Sequence, residues 1–332
     1  MSSRTLYLDN NATTQVDPAV VAEMLPWLSE HYGNPSSAYG LGKRALEGIE
    51  TARARVAALL GCDTSELIFT SCGTESINTA IQSAIALDPD RTHIVTTAVE
   101  HSATMKLCEH LARRGYEVTW LPVGSDGQLD LEKLEKAIRP DTALVSLLWA
   151  NNETGVLFPV ERIAEICRAK KVLFHCDAVQ AVGKIPLHLA DSGIHFLSVS
   201  GHKLHAPKGV GVLYTSKRVR FTPLLRGSQE TARRGGTQNV ASIAALGKAA
   251  EIAATHLAEE QTRVRALRDR FESAILSRLP GVSVNGDREN RLPNTTNLAF
   301  EGIEAEGALI LLDERGLCCS AGTFFFAFCT TR

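Results

Sequence analysis

Apolar and polar positions fall into two rhythms that alternate along this chain. Residues 41–60 place Ala, Ile, Val and Leu on one helical face and Lys, Arg and Glu on the other, with Gly61 as the C-cap. An earlier helix starts at Asp17-Pro18, a cap followed by proline at the first helical position, and runs to about residue 31. It gives way to the loop Gly33-Asn34-Pro35-Ser36-Ser37. Short apolar runs then alternate with helical patterns. Strands are predicted at 66–70, 93–98, 117–121, 143–148, 172–177 and 194–199, with a glycine-rich return strand at 209–214. Helices are predicted at 74–87, 103–114, 131–137 and 160–169. This order implies an α/β fold, a largely parallel sheet with helices on both faces.

Beyond the return strand, 226–239 is polar, basic and glycine-rich and reads as a loop at a rim or subunit interface. Residues 240–277 are mostly helical, with a charged middle at 259–270 that links two domains. A strand at 292–300 and a helix at 308–313 belong to the smaller one. The expected division is a large domain over 15–255 and a small domain made of 1–14 and 256–332. No internal repeat or low-complexity tract breaks the pattern.

Composition narrows the function classes. A chain of 332 residues, 44% apolar and 22% charged, buries a substantial core. The formal net charge of -2 predicts no attraction to nucleic acid or anionic membrane. Residues 1–14 carry Asp9 and no apolar core, which is unlike a secretory signal, and no uncharged run is long enough to span a bilayer. A soluble cytoplasmic protein is expected. The eight cysteines include no Cys-x-x-Cys pair, and adjacent Cys318 and Cys319 have neither bridge geometry nor zinc spacing. Reduced thiols and no metal site are expected.

Candidate chemistry collects at the strand ends. In Ser200-Gly201-His202-Lys203 the lysine follows a buried strand, where partial desolvation lowers its pKa and suits it to Schiff-base chemistry with a carbonyl compound or pyridoxal phosphate. Gly73-Thr74 opens a helix after a strand and reads equally as a capping turn or an anion cradle. His101 follows another strand and is either a structural histidine or a ligand-facing one. Asn152 lies in a polar strand end, and Asp177, with Gln180 just beyond, is either an Asx-turn or a functional acid. Strand alternation turns Cys176 away from the Asp177 face, so Cys176 reads as packing. In a parallel sheet these clusters share one edge. An anion cradle, a carboxylate, an imidazole and a Schiff-base lysine are the parts that pyridoxal phosphate requires.

At this point the sequence resembles the cysteine desulfurases of the NifS/IscS type, within the fold-type I pyridoxal-phosphate enzymes. The likeness rests on residues 7–14 (Tyr-Leu-Asp-Asn-Asn-Ala-Thr-Thr), 33–37, 69–76 and Glu100-His101. It continues through 151–155, 175–184, 200–203, 234–239 and 291–296, covering about residues 5–322 and standing nearest the nitrogen-fixation branch. The resemblance implies that Lys203 joins the cofactor and later moves protons at the substrate Cα, and that Asp177 pairs with the ring nitrogen. It implies that His101 stacks on the ring and acts in acid–base steps. Asn152 and Gln180 would contact ring substituents, Gln180 near the phenolic oxygen. Thr74 in the Gly73 turn, Ser200 and His202 would hold the phosphate. Thr237 would reach the phosphate of a neighbouring subunit, making a homodimer, and Asn34 would lie near the substrate carboxylate. The implied reaction converts L-cysteine to L-alanine and leaves a cysteine persulfide, whose sulfur passes to an acceptor such as an iron–sulfur scaffold, nitrogenase assembly included.

The family's reactive loop follows Cys-Ser-Ala-Gly with Ser-Ala-Cys-Thr. Here Cys319-Ser320-Ala321-Gly322 is followed by Thr323-Phe324-Phe325-Phe326-Ala327-Phe328-Cys329. Ungapped counting puts Phe325 at the nucleophile position, and a four-residue insertion makes it Cys329. The pattern looks truncated or frameshifted after Gly322, without the segment that carries the family's carboxylate-binding arginine. The expectation is a chain that binds pyridoxal phosphate and desulfurates cysteine poorly. Two other readings are another fold-type I enzyme, such as a selenocysteine lyase or aminotransferase, and a catalytically impaired dimeric scaffold derived from a desulfurase.

Overall fold

The computed structural model describes residues 5–321. Strand β1 (Leu6–Tyr7) leads into α1 (Pro18–Met24), where Asp17 caps the Ala19 N–H at 2.7 Å. The helix expected to continue to residue 31 divides, because Pro26 has no N–H to donate and opens the separate turn α2 (Pro26–Ser29). Helix α3 (Gly40–Leu60) ends at Gly61, whose φ of 62° is the left-handed C-cap that glycine provides.

The alternating core follows. In order it comprises β2 (Leu67–Thr70), α4 (Gly73–Leu87), β3 (His93–Thr97), α5 (Ser102–Ala112), β4 (Glu117–Leu121) and α6 (Leu131–Ala137). Then come β5 (Thr142–Leu148), α7 (Val160–Ala169), β6 (Leu173–Asp177), β7 (Phe196–Ser200) and β8 (Gly211–Thr215). These seven strands form one sheet in the order β2-β8-β7-β6-β5-β3-β4. Only β8 runs against the rest, antiparallel to both β2 and β7. Six strands therefore point their C-terminal ends to one edge. Strands β2, β3, β5, β7 and β8 are buried along their full length, and β2, β5 and β8 accordingly read as mostly apolar runs rather than alternating ones. Apolar layers lie on both faces, one built around Phe174, Leu147 and Val145 and the other around Phe196, Ile81 and Leu144.

Short α8 (Gln229–Ala232) interrupts the loop at 226–239, with Glu230, Thr231 and Ala232 all at positive φ. Glu230 is held there by a buried ion pair to Arg53 at 2.9 Å and by the Phe69 N–H at 3.1 Å. Helix α9 (Val240–Glu259) packs tightly on α3, where a Cβ on Gly247 would stand 2.5 Å from the Ala52 Cα. A π-turn at Glu260–Val264 joins it to α10 (Arg265–Arg278), so 240–278 is helical, as expected, with a change of winding in its charged middle. The strand expected over 292–300 shortens to β10 (Leu298–Phe300), paired antiparallel with β9 (Val282–Val284), which the sequence pattern did not reveal. Pro293 supplies no ladder N–H, and the polar residues 294–296 bond elsewhere. Helix α11 (Ala305–Asp313) precedes β11 (Leu317–Cys318), which pairs in parallel with β1. Among the described residues no helix is long and apolar enough to cross a membrane.

Candidate active site

The sheet edge gathers the polar strand ends. Ser200 closes β7, and the 3-10 turn Gly201–Lys203 carries the lysine past it. Lys203 Nζ donates to the carbonyl of Ala12 at 2.8 Å and to that of Asn11. Burial pushes its pKa down, and the Asp9 and Asp177 carboxylates oppose that shift without reversing it.

Asp177 ends β6 with only 6% of its surface exposed. Burial raises its pKa, against the opposing pull of the Val179 N–H, His101 and Lys203. Its Oδ1 accepts that N–H at 3.0 Å, so an Asx-turn and a buried acid coexist in one residue. A carboxylate desolvated this far is stabilised by a cationic partner. Cys176 beside it is fully buried in the core, and burial holds its thiol well above the ordinary range.

Gly73 begins α4 with no side-chain cap on the helix, so its first amides stay open to an anion. A Cβ on Gly73 would stand 3.0 Å from Val179 Cγ2 and 3.3 Å from Ser200 Cβ. The glycine lets the start of α4 pack closely against Val179 and Ser200, at the ends of β6 and β7. Thr74 is exposed in the first turn, and Ser200 is buried beside Gly73. Glu75, whose charge would repel an anion there, is engaged by Arg234 at 2.8 Å.

His101 caps α5, its Nδ1 accepting the Ala103 N–H at 3.1 Å, which assigns the proton to Nε2. His202 Nδ1 meets Thr13 Oγ1 at 3.1 Å, and its carbonyl accepts from the Thr14 N–H and hydroxyl. Burial, then the charges of Lys203, Lys208 and His101, lower the His202 pKa to about 4, so at neutral pH it is a neutral hydrogen-bonding group. Gln180 Nε2 donates to the Asn11 carbonyl at 2.9 Å, and the Asn152 carbonyl accepts from Asn11 Nδ2 at 3.1 Å. Lys203, Asp177, His101, His202, Gln180, Asn152, Gly73 and Ser200 thus share one edge.

Asn34 is exposed and spends its Oδ1 on the Ser36 N–H at 2.9 Å, and Thr237 is exposed in the loop after α8. Phe325 and Cys329, the two candidate nucleophile positions, lie outside the described residues. Cys318 and Cys319 are half-buried free thiols, and burial raises the Cys319 pKa, the opposite of what a thiolate nucleophile needs.

Four residues of the site carried no assigned role in the sequence. Asn11 and Ala12 sit in an N-terminal segment that crosses the sheet edge, signalled only by the unusual polar run after a short strand. Glu100 is buried, with Oε1 accepting from the Thr97 hydroxyl at 2.6 Å and burial raising its pKa to about 8. Lys184 is buried too, and nothing in its neighbours along the chain signals that.

Comparison with known proteins agrees with this architecture. The family model for aminotransferase class-V matches residues 6–325, and the chain belongs to that family. Cysteine desulfurase 2 of Trichormus variabilis is 54% identical over 319 residues, 96% of this chain and 80% of that protein. The cysteine desulfurase NifS of Azotobacter vinelandii is 52% identical over 320 residues, again 96% and 80%. A solved NifS-like protein superposes with a TM-score of 0.91 at 41% identity, covering 94% of this chain and 86% of that one. The fold is that of the fold-type I enzymes, and pyridoxal 5'-phosphate is the cofactor of the family. The site fits it: the start of α4 has no side-chain cap and can receive a phosphate, and the buried Asp177 carboxylate calls for a cationic partner.

Proposed function

We propose that this protein is a cysteine desulfurase, converting L-cysteine to L-alanine and passing the sulfur to a cysteine side chain. The observation that carries the reading is a lysine of lowered pKa on the same edge as a desolvated acid and an uncapped helix N-terminus. The two relatives named above supply the substrate class through their names.

When bound, pyridoxal phosphate supplies an electron sink for negative charge at the substrate Cα. Lys203 would hold the cofactor covalently and, as a free amine, would move the proton at the substrate Cα. Asp177 would pair with the ring nitrogen and favour its protonated form. His101 would stack on the ring and serve in acid–base steps through Nε2, the nitrogen not engaged by the Ala103 N–H. Gln180 donates to the phenolic oxygen, and Asn152 contacts a neighbouring substituent. Gly73, Thr74, Ser200 and neutral His202 hold the phosphate, with Thr237 of a second copy completing it in a homodimer. Asn34 lies near the substrate carboxylate, and the thiolate of Cys329 takes the sulfur. Residues 15–255 form the cofactor-binding domain and 1–14 with 256–332 the smaller one. The persulfide donates to an iron–sulfur scaffold or another acceptor protein in the cytoplasm.

The test is alanine formation from L-cysteine by protein loaded with pyridoxal phosphate. The expected result is slow release that disappears in Lys203→Ala, slow because the residues after Gly322 depart from the family's loop. No alanine, or alanine indifferent to Lys203→Ala, overturns the reading.

A further inference from the structure

A second lysine lies beneath the first. Lys184 is only 7% exposed, and Gln180, four residues earlier, 5%. Gly183 at φ 76° makes the turn that delivers Lys184, and a Cβ there would stand 2.5 Å from Leu204 Cδ2. The Lys184 N–H donates to Ala181 O at 3.0 Å and its carbonyl accepts from Gln261 Nε2, so both sides of its backbone are fixed. Its side chain is therefore aimed rather than free to leave for solvent.

The amine meets two amides. Lys184 Nζ donates to Gln180 Oε1 at 2.8 Å and lies 3.5 Å from Asn11 Oδ1. An amide side chain presents an acceptor at one end and donors at the other, and an ammonium group only donates. Contact with Lys184 thus selects Oε1 of Gln180 and turns Nε2 the opposite way, onto the Asn11 carbonyl at 2.9 Å. That same carbonyl accepts from Lys203 Nζ. Asn11 is oriented alike: its Oδ1 takes Lys184 and Asn294 Nδ2, and its Nδ2 donates to Asn152 O and Thr295 Oγ1.

We propose that Lys184 is a positioning residue whose amine locks the Gln180 amide with its N–H donor facing the cofactor. The inference rests on the functional reading above, in which Gln180 meets the phenolic oxygen. A locked donor stabilises that oxygen as an anion, so the lock lowers the pH at which the bound cofactor titrates. Burial and the charge of Lys203 bring the Lys184 pKa down to about 7, with the Glu260 carboxylate opposing. In its ammonium form the selection of Oε1 is strict. Lys203, Glu260, Gln180, Asn11 and Gln261 are the polar groups that meet it.

The experiment is a pH titration of the visible band of pyridoxal phosphate bound to wild type, Lys184→Met, Lys184→Arg, Gln180→Met and the Lys184→Met/Gln180→Met double variant. Cofactor occupancy is measured separately by release into alkali. Lys184→Met is expected to raise the titration midpoint by about one pH unit, the size of one charge-assisted hydrogen bond. Gln180→Met is expected to match it, the double variant to add nothing further, and Lys184→Arg to stay with wild type. A midpoint unmoved in fully occupied Lys184→Met overturns the proposal, as do shifts that add in the double variant. If Lys184→Met does not fold, Lys184→Gln replaces it, and failure of both to fold assigns Lys184 to stability alone and also overturns the proposal. Wild type that acquires no visible band refutes the functional reading itself, and this inference with it.

Discussion

Lys203 and Ala12 are separated by 191 positions in sequence, yet the lysine Nζ donates to the Ala12 carbonyl at 2.8 Å. The segment that provides this acceptor is held in place independently of the lysine side chain. Thr14 donates to the His202 carbonyl through its N–H at 3.0 Å and its hydroxyl at 2.9 Å, and the His205 N–H returns to the Thr14 hydroxyl at 2.8 Å. At its start, β1 pairs with β11, and Ser320 Oγ donates to Asp9 Oδ1 at 2.7 Å. The N-terminal segment thus connects the lysine to β11 and Ser320.

Asp177 sets function against stability. Its folded pKa is raised, so its charged form is disfavoured by burial, and the stability it contributes falls as pH rises above the ordinary carboxylate range. Asp177→Asn removes that cost together with the proposed partner of the ring nitrogen. Urea denaturation without cofactor should show a variant at least as stable as wild type at neutral pH. Equilibrium dialysis should show affinity for pyridoxal phosphate reduced by about tenfold or more, as for the loss of one buried ion pair.

Gly73 tests the anion cradle. Alanine there places a methyl carbon 3.0 Å from Val179 Cγ2 and 3.3 Å from Ser200 Cβ, while its φ requires no glycine. The helix gains propensity at its first position, so stability should change by less than about 1 kcal/mol. The methyl crowds Val179 and Ser200 beside the uncapped amides that would take the phosphate. Titration with pyridoxal phosphate should show weakened binding in Gly73→Ala, and titration with pyridoxal, which has no phosphate, should show a much smaller loss.

Two buried groups give stability opposite slopes with pH. Glu100 has its pKa raised from 4.5 to about 8 by burial, so between those values the folded state holds a proton that the unfolded state lacks. Its contribution is complete at low pH and is lost as pH rises towards about 8. His175, buried between Ser146 and Ser198 hydroxyls at 2.8 and 2.9 Å, has its pKa lowered from 6.5 to about 3. Its contribution is complete above 6.5 and is lost as pH falls towards about 3. Glu100→Gln, which keeps the shape and stays neutral, should flatten the alkaline decline in urea midpoints between about pH 6 and about pH 8 and leave the acid limb unchanged. An alkaline decline of full size in the variant would assign it to other groups.

The large sheet was legible because its strands are buried on both faces. A run such as Thr142–Leu148, buried throughout, leaves a mostly apolar signature that needs no partner to interpret. The site was legible where a strand ended in chemistry, as at Asp177 and Ser200-Gly201-His202-Lys203. What escaped depends on distant residues. Strand β9 has half-buried and exposed positions only, and its existence follows from pairing with β10. The break at Pro26 and the π-turn at Glu260–Val264 lie inside helical patterns whose apolar spacing continues across them. Lys184 looks like an ordinary lysine after a glycine, and its burial comes from Asn11 and Gln261, which lie far from it in sequence. Local pattern carries no information about such contacts.

The central claim is that Lys203 joins pyridoxal phosphate. The direct measurement is borohydride reduction of the protein after incubation with the cofactor, followed by peptide mass spectrometry. The account predicts a single reduced phosphopyridoxyl adduct on Lys203, absent from Lys203→Ala. An adduct mainly on Lys184 or another lysine, or none at all, would contradict it.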